Sequence, residues 1–233
     1  MSQPLRFLPG LLCDARVFAN QLCQFDDSSA IDGFGERTSL TDMARHALAC
    51  GPARMALVGH SMGARVALEV YRLAPERVER LALVSTGVHL PQSGEAEKRH
   101  ALRDLGFEHG AEALVDRWLP PMLSVSHRDD PMIIGPLHAM CVEAGVAVYA
   151  AQITALLDRP EVEGLLPSIT CPVLVAVGSE DAWSPPAQHA AIAEIIPHAT
   201  LTIVPGAGHM LPVEDPNALN AAIATWLAQP TRH

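Results

Sequence analysis

Short apolar runs separated by amphipathic stretches set the rhythm of this chain. Leu5-Arg6-Phe7-Leu8 reads as a strand, stopped by Pro9-Gly10. Val17, Phe18 and Leu22 have helical spacing, ending before Asp26-Asp27, and a weak strand is predicted from Ala30 to Phe34. Ser39 or Thr41 can cap a helix running to about Ala49, with Leu40, Met43, Ala44, Ala47 and Leu48 on one face. Continuous apolar runs at Met55–Gly59 and Leu81–Ser85 flank a predicted helix, Ala64–Leu73. After a long strand-free segment the alternation resumes. Pro172–Val177 and Thr200–Val204 read as strands, and Pro186–Ile195 and Asn217–Leu227 as helices. Strands apolar throughout and alternating with helices predict an α/β protein: a mostly parallel sheet with helices on both faces.

The strand-free segment carries helical patterns at Ala96–Leu105, Ala111–Leu119 and Pro136–Leu157, punctuated by Pro120-Pro121 and Pro131. It reads as a helical lid over 87–167, inserted into a core made of 1–86 and 168–233. A chain of 233 residues suits one domain with such an insertion. Apolar residues at 49% and charged ones at 18% fit a globular protein. The net charge of −10, with Lys98 the only lysine, argues against a nucleic-acid partner. The N-terminus lacks a basic region leading into an apolar run, no stretch reads as long enough to span a membrane, and five cysteines are irregularly spaced. The expectation is a cytoplasmic protein with reduced thiols, acting on a small molecule and not on a membrane, with homodimerisation open.

The chemistry starts at Gly59-His60-Ser61-Met62-Gly63, where an apolar strand turns sharply into a helix. Such a turn holds its central residue in a strained conformation and leaves room only for small residues two positions away. Ser61 is the candidate nucleophile. A serine needs a base, and the base an orienting carboxylate, beyond the carboxyl ends of parallel strands. Asp181, with Glu180 as its rival, follows one late strand, and His209 follows the other within Gly206-Ala207-Gly208-His209.

The order Ser61, Asp181, His209 resembles that of the α/β-hydrolase superfamily. The elbow, the acid loop Gly178-Ser179-Glu180-Asp181-Ala182-Trp183 and the histidine loop through Pro216 all carry the likeness, which covers Leu5 to Leu227 outside the lid. The resemblance implies Asp181 and not Glu180 as the acid. Because the usual N-terminal hairpin is missing, it implies a reduced sheet of about six strands. It also implies an oxyanion hole made of the Met62 N–H and one from the loop after the first strand. That loop, Pro9-Gly10-Leu11-Leu12-Cys13-Asp14, departs from the family's usual His-Gly. Leu11 is the chosen donor and Leu12 the runner-up.

Leu12, Asp14, Met122 and Met140 are candidate substrate contacts, although Asp14 reads better as a helix cap. His127, Arg128 and His138 are further polar candidates in the lid. No metal-ligand spacing and no nucleotide fingerprint is present, so neither metal nor cofactor is expected. The function expected is a serine hydrolase that cleaves a carboxylic ester, lactone or thioester through an acyl-enzyme. The alternatives are C–C bond hydrolysis, perhydrolysis or acyl transfer on the same residues, or a non-catalytic ligand receptor.

Overall fold

Strands β1 (Leu5–Leu8), β2 (Ser28–Ala30), β3 (Met55–His60), β4 (Val78–Val84), β5 (Val173–Gly178) and β6 (Thr200–Val204) form one sheet in the order β2-β1-β3-β4-β5-β6. Every pairing is parallel. The computed structural model describes residues 4–230. β3 and β5 are buried along their whole length, which is why they read as unbroken apolar runs, whereas the outermost strand β6 leaves Leu201 and Ile203 exposed. β2 lies earlier than predicted, at Ser28–Ala30 instead of Ala30–Phe34, and pairs Leu5 with Ser28. This short, half-buried edge strand carries too little apolar signal to be placed by pattern.

The chain leaves β1 toward one edge of the sheet and then returns to build the other side. Right-handed crossovers therefore place α1 (Ala19–Gln24) on the face opposite α2 (Leu40–Cys50), α3 (Met62–Leu73) and α6 (Pro186–Ile195). Two further helices, α7 (Leu211–Glu214) and α8 (Pro216–Leu227), pack with α1. The reversal between β1 and β3 is the crevice where open parallel sheets hold their ligands.

Between β4 and β5, α4 (Glu95–Trp118) and α5 (Pro131–Leu157) pack on each other. Each is broken by a glycine at positive φ, Gly110 at 93° and Gly145 at 84°. The first break falls between the two predicted helices. The second was not anticipated, and neither was the start at Pro131, where Asp130 caps the helix by accepting from the Met132 N–H. α5 spans 27 residues and holds an 18-residue stretch with a mean hydropathy of 1.6, so it is long and apolar enough to cross a membrane by length and composition, contrary to expectation. Within the fold, Leu137, Met140, Cys141, Tyr149 and Ile153 on this helix are buried.

The elbow fixes the register of β1, β3 and α3. A Cβ on Gly63 would lie 2.0 Å from the Leu8 carbonyl oxygen, and one on Gly59 would lie 2.4 Å from the Ala64 Cα. Both obstacles are backbone, so neither can rotate away. Gly63→Ala should therefore lower stability by about 3 kcal/mol or more. Gly135→Ala, in α5 with nothing beyond its chain neighbours within 4 Å of the added carbon, should stay within about 1 kcal/mol of wild type, since the helix propensity of alanine is offset by its Cβ meeting the ring of Pro136. Urea unfolding of both variants checks the pair.

Candidate active site

Ser61 caps α3 with φ 54° and ψ −116°, a left-handed conformation that costs a non-glycine residue about 1–3 kcal/mol. The strand holds it there, its N–H donating to the Val84 carbonyl at 2.8 Å while Thr86 Oγ1 donates to the Ser61 carbonyl at 3.1 Å. The hydroxyl meets His209 Nε2 at 2.9 Å. On the other edge of the ring, Nδ1 lies 2.9 Å from Asp181 Oδ2 and 3.1 Å from Oδ1. Asp181 follows β5, and its Oδ1 also accepts the N–H groups of Trp183 and Ser184 at 2.9 and 2.8 Å. Burial pushes the Asp181 carboxyl upward, but the charge and hydrogen bond of His209 and the Ser184 N–H outweigh it and hold the group below its ordinary value. The rival Glu180 turns elsewhere, accepting from the Val125 N–H at 3.0 Å.

A buried carboxylate that sequence reading missed pins the loop carrying His209. Glu214 Oε1 accepts from the Met210 N–H at 3.0 Å, and Oε2 from Gly208 N–H at 3.0 Å and Ser124 N–H at 2.9 Å, with His127 Nδ1 at 3.1 Å. Both neighbours of His209 are thus tied to one side chain. His209 itself donates its N–H to the Met122 carbonyl at 2.8 Å. His60, just before the nucleophile, donates from Nε2 to the His209 carbonyl at 2.9 Å, leaving a buried Nδ1 without a partner. Burial and the charge of His209 push His60 down to about 3, so it stays neutral.

The two backbone donors expected near Ser61 differ in kind. Met62 is the first residue of α3, so its N–H has no intrahelical acceptor and sits at the positive end of the helix dipole. In the loop after β1, Leu12 takes φ 59° and gives its N–H to Gln152 Oε1 of α5 at 2.9 Å. That spends Leu12 and removes it as a donor. Gln152 also donates to the Gly35 carbonyl at 3.2 Å, so α5 braces the loop from above. Among the described residues the Leu11 N–H meets no acceptor.

Ser61 and His209 open into a cavity of about 560 Å³ whose walls include Leu11, Met62, Met122, Trp118, Tyr149 and Leu156. Of the predicted contacts, Met122 lines it. Leu12 and Met140 are buried outside it, and Asp14 caps the turn after β1 through the Arg16 N–H and pairs with the Arg16 side chain. Nor do the other polar candidates line it: His127 faces Glu214, His138 faces Asp116 at 3.0 Å, and Arg128 reaches the Leu123 carbonyl. The arginine, lysine and glutamate side chains of the lining come from residues not proposed as contacts, Arg65, Glu95, Lys98, Arg99 and Arg159. Arg65 was within reach of sequence reasoning, since it lies four positions after Ser61 on the same helix and long side chains lean toward a helix N-terminus. The Arg159–Glu95 pairing spans 64 positions and carried no local signal. Among the described residues, no group of three or more His, Cys, Asp or Glu side chains is placed to hold a metal ion.

Comparison with known proteins bears on the family and the fold. A family model described as "Alpha/beta hydrolase family" matches residues 12–222. The 3-oxoadipate enol-lactonase 2 of Acinetobacter baylyi is 30% identical over 153 residues, which is 64% of this chain and 54% of that protein. A thermophilic esterase from Thermogutta terrifontis superposes with a TM-score of 0.86 at 28% identity, covering 97% of this chain and 89% of its own. The enol-lactonase from Burkholderia xenovorans, 20% identical, shares the fold with the same TM-score over 97% of this chain and 91% of its own. With its sheet order, its elbow and a family match running almost end to end, the chain belongs to the alpha/beta hydrolase family.

Proposed function

We propose that this hydrolase cleaves a small-to-medium carboxylic ester, lactone or thioester through an acyl-enzyme on Ser61. The observation that carries the reading is the unbroken relay from Ser61 Oγ through His209 to Asp181, with each contact at 2.9 Å. In this reading His209 Nε2 takes the hydroxyl proton as Ser61 Oγ bonds to the substrate carbonyl carbon. Asp181 holds the ring through Nδ1–H and offsets its transient charge. The N–H groups of Met62 and Leu11 receive the negative oxygen. Collapse of the adduct breaks the bond to the leaving group, which takes the proton from His209. A water then attacks the acyl carbon, gives its proton to His209, and the acid departs as Ser61 regains its hydrogen. The α4–α5 pair acts as a lid, because it supplies the apolar wall facing Ser61 and steadies the Leu11–Leu12 loop through Gln152.

The test is covalent. A fluorophosphonate should label the protein at Ser61, and Ser61→Ala should lose both labelling and ester turnover while keeping its circular dichroism spectrum. A folded wild-type protein that resists labelling would sink the proposal.

Glu214→Gln isolates the loop anchor. The amide nitrogen would face N–H donors now satisfied by a carboxylate oxygen, so His209 should lose its fixed position. We expect kcat to fall about tenfold to a hundredfold with KM little changed, measured on p-nitrophenyl esters.

His60 adds a pH dependence to stability. Its folded-state value, about 3, lies below the unfolded value of about 6.5. The unfolded chain therefore binds the extra proton between those limits, and stability falls as pH drops below the unfolded value. From pH 7 to 5 this group should remove about 2 kcal/mol. Urea unfolding of His60→Gln at the two pH values should show a shallower loss than wild type.

A further inference from the structure

The cavity's charge is opposite to that of the protein. The chain carries a net −10, yet among the side chains lining the cavity Arg65, Lys98, Arg99 and Arg159 face a single carboxylate, Glu95. Glu95 is fully engaged. Arg159 grips it with both arms at 2.6 and 2.7 Å, and Arg99 Nε shares Oε1 at 2.9 Å. Arg65 is different. It is only 4% exposed, and its hydrogen bonds run to the Pro160 and His89 carbonyls. Among the described residues no carboxylate lies within ion-pair distance of it. The acids that act on it, Glu95, Glu163 and Glu69, do so from farther away, while Arg159 repels it, and burial together with that repulsion pulls its guanidinium down to about 9. A buried cation without a counterion is costly unless something else supplies one.

We propose that the counterion belongs to the substrate: the cavity takes a molecule in which an apolar spacer joins the reacting carbonyl to a free carboxylate, and Arg65 receives that carboxylate. Three features of the site fit this occupant. Arg65 stands one helical turn beyond Ser61 and lines the same cavity, so the anion is held a short chain away from the reacting carbon. Leu102, Trp118, Tyr149 and Leu156 form an apolar wall for the spacer. A planar guanidinium fork matches a carboxylate better than it matches a neutral acceptor. Lys98, exposed and without a carboxylate partner among the described residues, adds a cation at the edge that attracts the anion on approach.

The inference rests on the ester-hydrolase reading for its activity arm only. The p-nitrophenyl half-esters of glutarate and adipate are compared with the matched esters ending in a neutral carboxamide. Wild type should favour the charged series by about tenfold or more in kcat/KM. Arg65→Gln should bring the ratio near one, mainly through KM, while neutral-ester turnover changes only severalfold. Lys98→Gln should lower the ratio to half or less at low salt, and it decides the matter if Arg65→Gln does not fold. An equal preference in wild type, a parallel loss of both substrate series in Arg65→Gln, or an unchanged ratio in Lys98→Gln would overturn the proposal. If no ester is turned over, the hydrolase reading fails separately and a binding arm decides. Adipate should raise the melting temperature of wild type but not of Arg65→Gln, and equal protection by adipamide would overturn the anion site.

Discussion

Everything at this site hangs on a steric constraint: β3 must turn into α3 within one residue while its flanks touch backbone. Gly59 meets Ala64 and Gly63 meets Leu8 at distances that exclude a side chain, and Ser61 is left at φ 54° between them. The strain of one residue is small beside the burial of β1, β3 and α3 around it. The same packing does two chemical jobs. It lifts the Ser61 hydroxyl above the carboxyl edge of the sheet, and it leaves the next residue, Met62, at the first position of α3 with an N–H that has no intrahelical acceptor.

The other partners reach that point from strands far along the chain, and each arrives by a different restraint. Asp181 is fixed by two backbone N–H groups of its own turn. His209 is fixed from behind by Glu214, by the Met122 carbonyl and by His60. A charged group in such a place would repel an imidazolium forming on His209. His60 avoids this because burial keeps it neutral, so it holds the His209 carbonyl without adding charge. Glu214 supplies a negative counterpart while spending its oxygens on N–H donors.

What the sequence made legible follows from the range of the forces involved. The buried strands, the elbow glycines and the order of Ser61, Asp181 and His209 could be read because each depends on neighbours within a few positions. β2 escaped because a half-buried edge strand of three residues has no apolar run to find. Leu12 stayed open as the runner-up to Leu11 for the oxyanion because what removes it is Gln152, some 140 positions later. Glu214 read only as one more residue of the histidine loop, and nothing local says that its carboxylate gathers the N–H groups of Ser124, Gly208 and Met210. Met122 and Met140 of the insertion both read as pocket lining, yet Met122 lines the cavity and Met140 went to the core. Apolar side chains in a helical hairpin have two faces to serve, and composition does not divide them.

The polar lining reverses an intuition drawn from that composition. An insertion rich in Leu, Met and Ala suggests an apolar pocket, and most of its apolar side chains do fill the interior between α4, α5 and the sheet. The charged side chains that line the cavity come from beside them: Glu95, Lys98 and Arg99 in the first turns of α4, Arg159 just after α5, and Arg65 on α3. Glu95 is in place at the helix start for an ordinary reason, since acidic groups favour that end. Once there it recruits Arg159 and Arg99 and satisfies them, which leaves Arg65 as the buried cation of the lining with no carboxylate at ion-pair distance among the described residues. The apolar wall and the charged lining thus come largely from the same two helices: Leu102, Trp118, Tyr149 and Leu156 face the cavity, and Glu95 with the arginines it holds sits beside them.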